Sequence, residues 1–459
     1  MKDHLRLPAL ATIAILLVAA CGPGGSPAPA ASSPGASASA SASAPSSPDA
    51  SGASPSASAG AEAQGVDDGT QLTMWTRAAT EARSKALVDA YNESHENTID
   101  LRVVPTDDYQ TTVGAAAPNN ELPDLFSADV VFMPNWTSAG LFTDLTDRIN
   151  GLPNLDQIGQ AHIETSTWEG RKYGLPFVID LSVWMYNKRL FREAGLDPEA
   201  APKSLAEFAD AARKVDALGG DVHGTFFGGN CGGCNVFTWW PITWASGEEV
   251  MNPEGTESLL NSETNKQIYS TFRALWEEDV IHPDSQAEAG PTWTGYFPQG
   301  NIGIMPMPAS LQGMANEALA DEDIGVTAIA GLTGGQSTFV GGDSIGISKD
   351  SDAPDAAWNF VAWLFTEEAQ VDVVAAGGNV VARSDLANNE HTANDPRLVL
   401  FNEIAAEGKT PFALNFGQTY NDPQGPWIVL FRDAVFGDAS QVDAHNESIN
   451  ESLQSGQAP

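Results

Sequence analysis

Residues 175–185 read Leu-Pro-Phe-Val-Ile-Asp-Leu-Ser-Val-Trp-Met, nearly continuous in apolar and β-branched side chains around one acid, Asp180. An unbroken run of this kind, without alternation, predicts a strand buried on both faces. A carboxylate inside such a strand needs partners, because burying it unpaired is costly. Two readings of Asp180 stand: backbone amides satisfy it, or it faces a cavity in which a ligand pairs with it. Directly downstream, residues 187–193 take helical spacing and end at Gly195, with Pro198 beyond, which predicts a short helix and its stop.

The rest of the chain carries the same two periods. Residues 71–75 alternate, 81–92 are helical and 98–104 form a second strand, so a parallel pair joined by a right-handed crossover is expected. A third short strand follows at 123–129. Ligands collect at the carboxyl ends of parallel strands, and Trp75, Arg77 and Asp129 stand there. Residues 204–218 place Leu205, Phe208, Ala209, Ala212 and Val215 on one face behind Ser204 as N-cap, an amphipathic surface helix. Further helices are expected at 265–278, 354–370 and 427–436, and a strand at 324–330. Trp136 either walls a cleft or packs under its loop.

Composition changes this picture mainly at the N-terminus and in the charge. Lys2 and Arg6 precede an apolar run at 10–20, too short to span a membrane but suited to a signal peptide over 1–20. The run ends in Val-Ala-Ala-Cys21, which resembles a bacterial lipobox, so Cys21 is expected to carry lipid that anchors the protein. Residues 21–65 are mostly Ala, Ser, Pro and Gly and cannot bury enough surface to order, so they are expected to act as a tether reaching roughly 35 Å. The folded body begins near Val66. With 60 acids against 22 Lys and Arg, the net charge of −38 excludes nucleic acid as a partner and is taken as surface solubility.

The other candidate chemistry lies in residues 226–244. Cys231 and Cys234 flank two glycines, and a local disulfide worth roughly 2 kcal/mol suits an exported chain. A redox site is the sharper alternative, although the pair does not open an obvious helix; zinc lacks the ligands it needs. Trp239, Trp240 and Trp244 follow. Core packing is the ordinary use of such a cluster, whereas a carbohydrate cleft would use the rings to stack on the C–H faces of sugars.

Glu169-Gly-Arg-Lys-Tyr-Gly-Leu-Pro176, Met185-Tyr-Asn-Lys188 and Phe191-Arg-Glu-Ala-Gly-Leu-Asp-Pro198 resemble the central signature of the extracellular solute-binding proteins of ABC importers, in the sugar-binding group related to maltose-binding protein. Pro123-Asp-Leu-Phe126, Ala139-Gly-Leu-Phe-Thr-Asp-Leu145, the Gly334–Ser348 segment and the helix from Pro354 extend the resemblance over about residues 70–455. It implies an α/β, two-lobed periplasmic-binding-protein type II fold with three interlobe crossings and a ligand cleft between the lobes. Residues 66–179 with 340–411 would form lobe 1, and 180–339 with 412–459 lobe 2. The cleft would draw hydroxyl acceptors from Asp129, Asp180 and Asp343, a donor from Arg77, and close backbone approach at Gly342. Stacking faces would come from Trp75, Trp184, Tyr186, Trp239, Trp240, Trp244 and Trp427. Arg383 stands where relatives more often show Leu-Pro-x-Arg, and Met307-Pro-Ala replaces their Gly-x-Trp.

The function implied is a lipid-anchored binder on the extracytoplasmic face of the cell membrane of a Gram-positive bacterium. It would act as a monomer, capturing a carbohydrate such as an oligosaccharide for an ABC permease, with no enzymatic step, cofactor or metal. Two alternatives remain open: the same fold with a polyamine or other non-sugar solute, and a secreted glycoside hydrolase, for which no motif pairs two acids.

Overall fold

The computed structural model describes residues 65–455, apart from 312 and 407. The signal peptide, the Cys21 lipidation site and nearly all of the tether therefore lie outside the described residues. Among the described residues no helix is long and apolar enough to cross a membrane.

The first third of the body alternates strand and helix: β1 Gln71–Arg77, α1 Glu81–Ser94, β2 Thr98–Val104, α2 Thr106–Ala116 and β3 Leu125–Asp129. There follow the long strand β4 Leu175–Asn187 and helices α3 Leu205–Asp216, α4 Gly232–Ala245 and α5 Glu263–Glu277. Strands β5 Ile304–Pro308, β6 Ile324–Thr327 and β7 Val340–Ile347 precede helices α6 Pro354–Trp363, α7 Pro426–Val435 and α8 Val442–Ser455. β1 pairs in parallel with both β2 and β3, as crossovers through helices require. β7 runs antiparallel between β3 and β4, giving the order β2-β1-β3-β7-β4-β5, with β6 also on β4.

β4 explains its own sequence. Of its thirteen residues only Asp180 is not buried. Residues 175–181 pair with β7, whereas 182–187 pair with β5 and β6. Because β4 serves two neighbourhoods along its length, it is covered on both faces throughout and needs an unbroken apolar run. Asn187 then caps the short helix Lys188–Glu193 by accepting from the Leu190 amide at 3.1 Å, and Gly195 leaves it at φ 73°.

Apolar burial gathers on either side of this strand. One cluster includes Leu72, Leu125, Leu175, Ile345 and Trp358, and another Trp184, Phe208, Trp239, Phe272 and Trp427. Two local expectations need correction. The helix from Pro354 ends at Trp363, and the chain resumes as a π-helix at Glu368–Ala375. The cysteine pair does open a helix: Cys231 is the N-cap of α4, its Sγ accepting from the Cys234 amide at 3.2 Å. Consecutive glycines are poor helix formers and masked that start.

At Gly342 the backbone has φ 95°, and a Cβ would lie 1.9 Å from the Val178 carbonyl oxygen. The β7 register against β4 shifts just beyond it, between Asp343 and Ser344. Gly140 also has positive φ, 71°, but nothing within 4 Å of a Cβ. Urea unfolding should therefore separate the two substitutions. Gly140→Ala is expected to cost about 1 kcal/mol from backbone strain alone, and Gly342→Ala more than about 3 kcal/mol because β4 and β7 must part.

Candidate functional site

The carboxyl ends of β1 and β3, the register shift in β7 and the middle of β4 converge on one cluster of charge. Asp343 is fully buried, and its carboxylate accepts from Arg77 Nε at 2.7 Å, from Ser127 Oγ at 2.9 Å and from Thr80 Oγ1 at 3.2 Å. The Arg77 guanidinium is shared, with Nη1 on Asp129 Oδ2 at 3.0 Å and Nη2 on Asp343 Oδ1 at 2.5 Å. Asp129 also accepts from the Val131 amide at 3.2 Å. Asp180 accepts from the amide of Leu181 at 3.0 Å and stands 3.8 Å from Arg83 Nη2, whose Nη1 donates to the Ile179 carbonyl at 3.1 Å.

Asp129 and Asp180 keep 24% and 25% of their side chains exposed, so each has carboxylate edge left to offer. Burial raises both carboxyls above the usual range, and the opposing guanidiniums, Arg77 for Asp129 and Arg83 for Asp180, offset this only in part.

A cavity of about 240 Å³ opens onto these groups. One wall is polar, built from Arg77, Thr80, Arg83, Asp129 and Asp180. The other is largely apolar, with Val236, Phe237, Pro308, Phe339 and Phe416, and Gly233, Cys234 and Asn421 at its edge. Gly341 and Gly342 also line the cavity and bring backbone without side chains to it. Helical geometry explains the second wall: Gly233 and Phe237 are four residues apart on α4 and share a face. Cys231 and Cys234 are joined as a disulfide at the start of that helix.

The structure thus brings Arg77, Asp129, Asp180 and Gly342 together at one cavity. Asp343 belongs to the same cluster but has no exposed edge, since Arg77 and two hydroxyls occupy it. The tryptophans expected to stack on a ligand are placed elsewhere. Trp75 stands two residues before the end of β1, covered by the Arg102 guanidinium at 4.8 Å from its ring. Trp184 is fully buried against Phe208, and the Tyr186 hydroxyl donates to the Pro198 carbonyl at 3.2 Å.

Trp239 packs on Phe272, with ring centroids 3.9 Å apart. Trp240 is 1% exposed among Phe416, Tyr420, Trp244 and Trp427. Trp427 donates from Nε1 to the Gly232 carbonyl at 3.1 Å, bracing α4 from behind. Trp244 borders a different groove of about 640 Å³, shared with His162, Met251 and Phe412. Trp136 is buried beside Tyr109 and Phe126. Arg383 is 8% exposed and turned to Asp385 and the Phe365 carbonyl.

Arg83, Phe237, Phe339, Phe416 and Asn421 escaped the sequence reading. Arg83 had a usable signal, because it sits in the first turn of the helix that follows β1 and so at the same strand-end edge as Arg77.

Comparison with known proteins places the chain. Residues 78–371, well over half of it, match the family model of bacterial extracellular solute-binding proteins. The chain belongs to this family. A putative binding protein of Brucella abortus is 25% identical over 320 residues, 68% of this chain and 75% of its own length. The diacetylchitobiose binding protein DasA of Streptomyces coelicolor is 21% identical over 345 residues, 73% of this chain and 77% of its own. An ABC transporter solute binding protein of Thermotoga lettingae, solved with alpha-D-tagatose bound, superposes with a TM-score of 0.72 at 18% identity, covering 84% of this chain and 100% of that one. The fold of this solute-binding protein is accordingly the two-lobed type II periplasmic-binding-protein fold, with the ligand cleft between its lobes. Members of the family bind solutes rather than transform them, so the chain is a binding protein and not an enzyme.

Beside the cleft of this binding protein, His162 is buried between the Gly341 carbonyl, 3.0 Å from Nε2, and Ser344 Oγ, 3.2 Å from Nδ1. Burial pushes its pKa down to about 4 from 6.5. The unfolded chain therefore protonates this histidine first, so its contribution is complete above pH 6.5 and is lost as pH falls towards 4. Asp129 and Asp180, with raised values, act in the opposite sense and favour the fold as pH falls. Thermal unfolding of the unliganded protein against pH should show His162→Gln losing about 3 kcal/mol less than wild type between pH 6.5 and 4.

Proposed function

We propose that this protein captures a carbohydrate and delivers it to an ABC permease from the extracytoplasmic face of the cell membrane of a Gram-positive bacterium, held there by lipid on Cys21. The observation that carries this reading is the pairing of two unlike walls across a small cavity. A sugar ring has hydroxyl edges that donate to carboxylates and C–H faces that rest on aromatic rings. Asp129 and Asp180 supply open carboxylate edges on one side; Phe237, Phe339 and Phe416 supply apolar surface on the other. The diacetylchitobiose and alpha-D-tagatose named for two of the relatives are both carbohydrates. A cavity of about 240 Å³ suits one ring of a short oligosaccharide, with further rings emerging at the mouth.

Residues 66–179 with 340–411 would make one lobe and 180–339 with 412–459 the other. The change of partners halfway along β4 supports that division. A ligand touching both walls favours the closed arrangement by its differential affinity, and a monomer closed in this way is what the permease would read.

A polyamine is the second reading, favoured by the three carboxylates of the cluster. Arg77 and Arg83 already stand against them, which leaves little uncompensated charge for a polycation.

The test is a thermal-shift and calorimetric panel of diacetylchitobiose, maltotriose, arabinotriose, tagatose and spermidine. A sugar should raise the melting temperature without being consumed. A shift with spermidine alone would install the polyamine instead. For the sugar that binds, Asp180→Asn and Phe237→Ala should each weaken affinity by about tenfold or more, roughly 1.4 kcal/mol. Affinity should also fall as the pH drops, with a midpoint above 3.8, because raised carboxyls protonate early and stop accepting hydroxyls. Trp240→Ala, by contrast, should cost about 3–5 kcal/mol of stability as a core truncation.

A further inference from the structure

The Cys231–Cys234 bridge closes too short a loop to stabilise the chain much, and its surroundings point to another role. Cys234 and Gly233 border the cleft cavity, and Phe237 follows one turn later on α4. The first turn packs against residues 420 and 421. A Cβ at Gly232 would lie 2.3 Å from the Tyr420 carbonyl oxygen, and one at Gly233 3.1 Å from Asn421 Oδ1. Two loops, around Gly228 and Gly290, also pack close to the sulfurs. A Cβ at Gly290 would lie 3.0 Å from Cys231 Sγ and 3.4 Å from Cys234 Sγ, and one at Gly228 3.5 Å from Cys234 Sγ. Those loops are pinned by the Gly229 amide on the Ser285 carbonyl at 2.7 Å and the Asn230 amide on the Glu288 carbonyl at 2.8 Å.

Broken, the bridge would leave two sulfurs that must separate from bonding to van der Waals distance. Gly228 and Gly290 pack close to the sulfurs, and Cys234 and Gly233 border the cavity, so the separation shifts the cavity edge together with the first turn of α4. Both cysteines are partly exposed, so a reductant reaches them.

We propose that the Cys231–Cys234 disulfide is a positioning element of the ligand cleft, holding Gly233 and Phe237 at contact distance, so that its reduction weakens ligand binding while the fold persists. The inference deepens the carbohydrate reading and rests on it for the choice of ligand. The reaction is thiol–disulfide exchange with a dithiol. A thiolate of dithiothreitol attacks one sulfur and the Sγ–Sγ bond breaks. The second thiolate then closes the reagent into its cyclic disulfide, leaving Cys231 and Cys234 each as a thiol that has gained one electron and one proton.

The experiment compares the full chain oxidised, reduced with dithiothreitol and reoxidised, with thiol counts confirming each state. Calorimetry uses diacetylchitobiose, maltotriose, arabinotriose and tagatose as probes, and hydrogen exchange follows the amides of residues 232–245. Affinity for the probe that binds should fall by about fivefold or more on reduction and return on reoxidation. Amides of the first turn should exchange faster in the reduced form, with a small change in melting temperature. Cys231→Ser combined with Cys234→Ala, which keeps an N-cap oxygen, should behave like the reduced protein. Unchanged affinity in a protein shown to be reduced would overturn the proposal. If none of the four sugars binds the oxidised protein, the carbohydrate reading fails on its own. The exchange rates then decide the positioning role, which unchanged first-turn amides would refute.

Discussion

The pairing of Arg77 with the buried Asp343 is the constraint on which the cleft depends. A carboxylate with no solvent contact persists only if its charge and its lone pairs are both met, and one guanidinium and two hydroxyls do this here. Because Arg77 ends β1, Ser127 lies in β3 and Asp343 in β7, the pair also fixes three strands at the edge where a ligand would sit. Arg77 has donors to spare, and its Nη1 turns the Asp129 carboxylate so that the remaining edge faces the cavity. Beneath the pair, Thr76, Thr80, Ser84 and Ser127 exchange hydroxyl contacts of 3.0–3.1 Å, so these four buried hydroxyls all find partners.

The strand ends were legible in the sequence and the aromatic wall was not, for a physical reason. Where parallel strands stop, the chain must turn and its polar side chains must face an opening, so Arg77 and Asp129 announce themselves by position, and Asp180 does so as the lone acid in an apolar strand. Tryptophan carries no such positional rule. A core needs its area as much as a sugar does, and Trp184, Trp239, Trp240 and Trp427 fill the apolar body that holds the wall in place. The rings that do face the cavity, Phe237, Phe339 and Phe416, come from three separate segments and form no cluster in the sequence. Asp343 shows the complementary failure. The Gly-Gly-Asp sequence marks a close backbone approach, but only the fold reveals that Arg77 already occupies its carboxylate.

The two walls are joined through strands rather than through a loop. β4 carries Asp180 at the polar wall and then runs on to pair with β5, whose Pro308 stands at the apolar one. β7 supplies Gly341 and Gly342 at the cavity, and Phe339 immediately precedes this strand. Movement of one wall against the other would therefore have to bend these strands. Gly342 is already held at a φ that other residues rarely adopt, and the register of β7 against β4 shifts beside it. A ligand that touches both walls changes the balance only by the difference between its contacts in the closed and open arrangements.

The strong acidity of the chain does not describe the cleft. Sixty acids against 22 Lys and Arg make the whole surface a diffuse attractor of cations, yet at the cavity three carboxylates face two guanidiniums. Fields from exposed charges fade over a Debye length of about 8 Å at physiological salt, so the remote surface contributes little to what a bound solute experiences. A cation would find attraction over most of the molecule and, at this cavity, only the excess of one carboxylate over the two guanidiniums. A neutral solute with directed hydroxyls gains only where open carboxylate edges and an apolar face meet, and in this protein that coincidence is built at the ends of β1 and β3 and the first turns of α4.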